Sequence, residues 1–285
     1  MFHPQRSINC KGKLLDLTQP QVMGILNVTP DSFFDGGHFT IESAVLQQVE
    51  KMLMEGAAII DVGGMSSRPG ATMINEEDEL QRVMPVIELI MNHFPGTIIS
   101  IDTIKSEVAR RAVEVGASII NDISAGKLDD RMYETVADLG VPYVLMHMQG
   151  VPGNMQQNPV YEDIIREILD FLIQEVGKLR VLGVKDILLD VGFGFGKTVE
   201  HNYQLLCNLH IFQILDLPIL AGLSRKSMVC RPLGIKPSQA LNGTTALHIV
   251  ALQQGARILR VHDVREAVEV IKLWQELEAV EKLKG

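Results

Sequence analysis

Eight short apolar runs recur along the chain: Val22–Leu26, Ala58–Val62, Ile98–Ile101, Ser118–Ile120, Pro142–Met146, Ile187–Leu189, Pro218–Ala221 and Arg257–Val261. Short apolar runs bounded by turn-forming residues read as buried strands. Between them the apolar period lengthens to that of a helix. Leu80, Val83, Met84, Ile87, Ile90 and Met91 follow i, i+3, i+4 spacing behind Asn75 as N-cap, with Glu76 and Glu77 in the first turn. Ile164, Ile165, Ile168, Leu169, Leu172, Ile173, Val176 and Leu179 make a second stripe, and Val264, Ala267, Val268 and Ile271 open the last helix. The repeated alternation predicts the α/β class and a (β/α)8 barrel, with a doubly wound open sheet as the competitor. No composition shift, low-complexity tract or long linker divides residues 1–285, so one domain is expected.

Composition narrows the function classes. At 46% hydrophobic and 21% charged, 285 residues can bury a large core. A formal net charge of −9 argues against a general phosphate-backbone binder but leaves room for a local basic pocket, so nucleic acid is not an expected partner. Cys10, Cys207 and Cys230 are odd in number, far apart and outside C-x-x-C spacing, so neither a disulfide framework nor a zinc site is expected and a reducing cytoplasm is. No apolar run approaches membrane-spanning length, and Met1–Pro20 has no continuous apolar core; neither a membrane partner nor a signal peptide is expected.

The polar residues that close the runs carry the chemistry. Pro218–Ala221 leads into Gly222-Leu-Ser-Arg-Lys-Ser227, a cation pair and two hydroxyls delivered at a strand end. Asp102, Asn121 and Asp190 stand at three other strand ends. Taken singly, each reads more readily as a helix cap. Aimed together into one barrel mouth, they suit a heterocycle with an amidine-like edge, since a carboxylate accepts two parallel N–H bonds. Arg260 and His262 alternate about Val261, so both can face one side. The run Gly192-Phe-Gly-Phe-Gly-Lys-Thr198 is not a phosphate loop, because Val191 stands where that motif needs glycine, and its spacing is not that of a dinucleotide fingerprint. Its glycines suit either a backbone brought close to a flat ligand, with Phe193 or Phe195 as a wall, or a plain surface loop. His147 reads as a structural histidine or a site residue. Two turn-rich connections, residues 27–38 and 63–70, follow early strands, and Arg68 beside Pro69 suits a lid that grips an anion. No HExxH, His/Cys cluster or Gly-x-Ser-x-Gly elbow occurs, which leaves catalysis by positioning and charge.

These segments resemble one family. GILNVTPDSFFDGG at 24–37, DVGGMSSRPGA at 61–71, SIDT at 100–103, IIND at 119–122, LLDVGFGFGK at 188–197, GLSRKS at 222–227 and RVHD at 260–263 together are similar to dihydropteroate synthase. The resemblance implies a (β/α)8 barrel, typically a homodimer, that uses Mg2+. It joins 4-aminobenzoate to 6-hydroxymethyl-7,8-dihydropterin diphosphate and releases pyrophosphate. It further implies that Asp102, Asn121, Asp190 and Lys226 hold the pterin, with Met146, Phe195 and Gly222 shaping the slot. Asn27, Ser67, Arg68, Arg260 and His262 take the diphosphate, Asn27 through Mg2+. Phe33, Ser67, Arg68, Pro69, Phe195 and Ser227 form the aminobenzoate side, and Lys226, Arg260 and His262 carry catalysis. Met65 and Ser67 replace the family's usual Glu and Thr, and Val191 its usual Pro. A pterin-binding methyltransferase would share the Asp and Asn contacts but has no use for Gly-x-Ser-Arg-Lys. A barrel that binds pterin without turnover is the third reading.

Overall fold

The computed structural model describes residues 5–28, 38–65 and 73–282 apart from 152, 154 and 157, with backbone alone at 38–41 and 281–282. An antiparallel hairpin, β1 (Ser7–Cys10) and β2 (Lys13–Asp16), comes first. The strands that follow are β3 (Gln21–Asn27), β4 (Ile59–Gly63), β5 (Ile98–Asp102), β6 (Ile119–Asp122), β7 (Tyr143–Met146), β8 (Ile187–Asp190), β9 (Ile219–Ala221) and β10 (Ala256–Val261). Between and after them run α1 (His38–Met54), α2 (Glu76–His93), α3 (Ser106–Val115), α4 (Met132–Leu139), α5 (Ile164–Val181), α6 (Val199–Cys207), α7 (Ser227–Leu233), α8 (Leu241–Gln253) and α9 (Val264–Lys282). Strands β3 to β10 pair in parallel, and β10 returns to pair with β3, closing the barrel and deciding against an open sheet. All eight expected strands are present.

Side chains alternate across a strand, so every second residue faces the barrel interior. Near the strand starts the inward layer is apolar: Met23, Ile59, Ile98, Ile119, Val144, Leu188, Leu220 and Ile258 pack in one cluster. One alternation further on, the same faces carry Asp61, Ser100, Asn121, Met146, Asp190, Gly222 and Arg260. The outward set, including Ile60, Ile99, Ile120, Leu145, Leu189 and Leu259, packs against the helices. The barrel is therefore plugged with hydrocarbon at one end and polar at the other, the end where such folds carry their sites.

The apolar runs predict no strand ahead of Val22, and the hairpin corrects that expectation. Its alternation lasts only four residues a strand, too short a signal beside the buried runs. Lys11 and Gly12 take positive φ of 51° and 89°, the two-residue turn geometry that matches strand twist. Ile8, Cys10, Leu15 and Leu17 join the apolar plug. Lys11 and Lys13 reach the carbonyls of Val113 and Gly96 at 2.7 and 2.5 Å, at or just beyond the ends of α3 and α2. The Asn75 cap is present, its side chain accepting from Asp78 N. In α5 the buried face is Ile164, Ile168, Leu172, Glu175 and Leu179, while Ile173, expected in the stripe, is 46% exposed. Among the described residues no helix is long and apolar enough to cross a membrane, and Cys10, Cys207 and Cys230 are unpaired.

Candidate active site

Register gathers the mouth. Asn27 pairs with Gly63, Gly63 with Asp102 and Asp102 with Asn121, so four neighbouring strands present these positions side by side. Met146 pairs with Asp190 on the opposite wall. Asp102, Asn121 and Asp190 are the last or next-to-last residues of their strands, and none caps a helix: α3, α4 and α6 are capped at Lys105, Arg131 and Thr198. The capping alternative is thereby removed.

Arg260 organises one half. Its Nε donates to Asp61 Oδ2 at 2.6 Å and its Nη2 to Asp102 Oδ2 at 2.5 Å, and Asn121 Nδ2 donates to Asp61 Oδ2 at 3.2 Å. Burial works against the Arg260 charge, yet Asp61 and Asp102 outweigh it and its pKa stays above the ordinary value. Burial pushes the Asp102 carboxyl up to about 7, and Arg260 pulls it back. Asp61, fully buried, is not among the residues that the sequence singles out; the signal for it is a carboxylate inside the apolar run 58–62. The expected grouping of Arg260 with His262 is only partly realised, since Arg260 joins the carboxylates while His262 turns to Ser224, its Nδ1 lying 3.0 Å from Ser224 Oγ. The next residues pair as well: Arg225 forms a two-point ion pair with Asp263, Nε to Oδ2 at 2.9 Å. Ser224 and Arg225 thus clasp His262 and Asp263, joining the ends of β9 and β10.

Asp190 and Lys226 make the other half. Asp190 Oδ1 accepts from Gly192 N at 2.7 Å. Burial raises its pKa, while Lys226, the Gly192 N–H, Arg260 and Lys197 hold it down. Lys226 Nζ donates to Phe193 O at 2.6 Å and lies 4.6 Å above the Phe195 ring centroid, a cation–π contact. Burial pushes this ammonium down to about 8, opposed by Asp190. A methyl group on Gly222 would lie 3.7 Å from Asp190 Oδ2 and 3.8 Å from Lys226 Nζ, so the two charges bracket its open face. Phe193 is in the core, and Phe195, not Phe193, forms the wall, clustered with Met146, Met65, Met148 and Ile104. Gly192, Gly194 and Gly196 all have positive φ, and the loop is mostly buried rather than a plain surface connection. Ser227 follows Lys226 as the first residue of α7, half-buried. Phe33, Ser67, Arg68 and Pro69 lie outside the described residues.

No group of three or more His, Cys, Asp or Glu able to hold a metal occurs among the described residues. Asn27 offers one carboxamide oxygen near Asp102: a methyl on Gly63 would be 3.7 Å from both Asn27 Oδ1 and Asp102 Oδ2. Such a donor set fits a hard cation that keeps most of its shell on water and phosphate oxygens, and no metal that needs a full protein cage.

Residues 23–262 match the family described as pterin binding enzyme. The dihydropteroate synthase of Haemophilus influenzae is 48% identical over 265 residues, 92% of this chain and 96% of that protein. The Escherichia coli dihydropteroate synthase is 48% identical over 266 residues, 92% of this chain and 93% of its own. Among solved structures, the Yersinia pestis dihydropteroate synthase with a sulfonamide drug complex aligns with a TM-score of 0.90 at 44% identity, covering 96% of this chain and 99% of that one. The Xanthomonas albilineans enzyme in complex with 7,8-dihydropteroate aligns at 0.85 and 41%, covering 96% and 99%. The closed barrel, the polar layer at its mouth and these likenesses agree: the chain belongs to the dihydropteroate synthase family of pterin binding enzymes.

Proposed function

We propose that the barrel mouth condenses 4-aminobenzoate with 6-hydroxymethyl-7,8-dihydropterin diphosphate, releasing pyrophosphate, with the pterin between Asp190 and Asn121. The observation that carries this reading is the convergence of Asp102, Asn121, Asp190, Lys226 and Arg260 at one mouth, beside the apolar wall of Met146 and Phe195. Asp190 accepts paired N–H donors from the pterin edge, a charge-assisted contact inside a buried site. Asn121 and Asp102 take the remaining polar edge, and Gly222 keeps the slot flat. Ionisation at the pterin methylene places positive charge on an electron-rich ring and negative charge on the departing diphosphate, so the enzyme needs mainly fixed charges for the anion. Arg260 and His262 supply them. Arg260 is held by Asp61 and Asp102 through part of its donor set, Ser224 holds His262, and Arg225 holds the next residue, Asp263. Mg2+ at Asn27 would add Lewis-acid stabilisation of the diphosphate oxygens. Ser227 and Phe195 take the aminobenzoate side together with Phe33, Ser67, Arg68 and Pro69, the last four being outside the described residues. Expected surroundings are the cytoplasm, which the unpaired cysteines support, and a homodimer, which the exposed stripe Leu273, Leu277 and Val280 on α9 supports.

The test is pyrophosphate release from the pterin diphosphate with and without aminobenzoate. Release that depends on aminobenzoate, and a sulfonamide that competes with it, are the expected results. Release independent of aminobenzoate, or none with intact pterin binding, would favour a barrel that binds without condensing.

A further inference from the structure

Lys197 closes the glycine-rich loop after β8 and is only 2% exposed. Its Nζ donates to His147 Nδ1 at 3.1 Å, His147 O at 3.2 Å and Phe195 O at 3.0 Å. None of these acceptors is a carboxylate, so a full charge is buried on neutral partners, which costs stability unless a counter-charge is near. An ammonium can only donate, so His147 meets it with the Nδ1 lone pair and stays neutral. Burial and the charges of Lys197 and Lys127 push that imidazole down to about 2.

The path to a counter-charge runs through one glycine. Gly192 N–H donates to Asp190 Oδ1 at 2.7 Å, and a methyl on the same Gly192 would lie 3.3 Å from Lys197 Nζ. The ammonium therefore stands behind the turn whose N–H holds the carboxylate. We propose that Lys197 is a positioning residue for the pterin: from behind the Gly192 turn its charge keeps Asp190 a carboxylate able to accept paired N–H donors, and its hydrogen bonds set the height of Phe195. The inference rests on the role proposed above for Asp190. The groups facing Asp190 are Lys226 from the turn after β9, Arg260 from β10, and Lys197 and the Gly192 N–H from its own loop. Among the described residues, β7 brings the uncharged Met146 beside Asp190, and the residue after it is the neutral His147. Burial pushes the Lys197 ammonium down to about 7, against the pull of Asp190. Its charge is thus complete on the acid side, where a buried carboxyl is most exposed to protonation.

The experiment follows kcat/KM for the pterin diphosphate from acid to alkaline pH in the parent, Lys197→Met, Lys197→Gln and Lys197→Arg, with Asp190→Asn alongside. Gln keeps donors for the two carbonyls without the charge, and serves if Met does not fold. In Met and Gln the acid limb should move up by about one pH unit, so that below neutrality the pterin KM rises about tenfold and the curves converge in alkali. In Arg the limb should stay at the parent position. A uniform loss with an unmoved limb, or an equal shift in Arg and Gln, would make Lys197 a structural staple and overturn the inference. If Asp190→Asn binds pterin like the parent, the reading of Asp190 fails instead; if it loses binding, an unmoved limb counts against Lys197 alone.

Discussion

Asp190 is held by a backbone N–H on one oxygen and faced by two lysines, with the other oxygen turned to the open face of Gly222. An amide in its place keeps the shape but offers one acceptor and a donor where two acceptors are needed. Asp190→Asn should therefore weaken pterin binding by about 1.5–3 kcal/mol, roughly tenfold to a hundredfold, with the fold intact. Calorimetric titration checks this, and parent-like affinity would remove Asp190 from the pterin site. Asp190, Asp102, Asn121 and Lys226 are legible in the motif segments themselves. Asp61 opens one of those segments without being singled out, because a carboxylate inside an apolar strand shows its purpose only when Arg260 is seen beside it.

The loop after β8 and the hairpin that leads into β3 place opposite demands on the chain. Gly192 has φ +71°, and a Cβ there would meet His147 O at 1.9 Å, a backbone atom that no side-chain rotation can clear. Gly192→Ala should displace the turn that holds Asp190, cost at least about 1–3 kcal/mol of strain, and lower both the melting temperature and pterin affinity. An unchanged melting temperature would show that the loop accommodates a side chain. The hairpin works at the far end of the barrel. Ile8 is fully buried in the apolar plug, so Ile8→Ala should cost about 2–5 kcal/mol in denaturant unfolding while kcat at permissive temperature stays near the parent value. A matching fall in kcat would mean that the plug also shapes the mouth.

At the scale of the whole molecule, acid stability depends on histidines that the fold buries. His248 on α8 is 1% exposed, and neither ring nitrogen has a partner among the described residues. Burial pushes it down to about 4, with Asp263 opposing. The unfolded chain takes this proton near the ordinary histidine value and the folded one resists it, so stability present above that value is lost as pH falls toward 4, by about 1.4 kcal/mol per pH unit. Buried carboxyls with raised pKa, such as Asp122 and Asp190, act in the other direction, so the difference between variants is the informative quantity. In His248→Leu, unfolding free energy measured at a series of pH values should fall less steeply than in the parent by that amount. Parallel curves would mean that His248 is protonated in the folded protein.

The strands, their alternation and the polar residues at their ends are local properties, set by side-chain period and turn chemistry within a few residues, and these the sequence determined by itself. The hairpin escapes such a reading because its pattern is too short to stand out, and its apolar face acquires meaning only against the inward layer of eight other strands. What the tertiary structure decided are meetings between distant positions: Arg260 with Asp61 across 199 residues, Ser224 with His262 across 38, and Lys197 with His147 across 50. Such contacts depend on β10 closing against β3 and on the stagger between neighbouring strands. Barrel closure is a collective result of every strand pair, and no single stretch of chain encodes it.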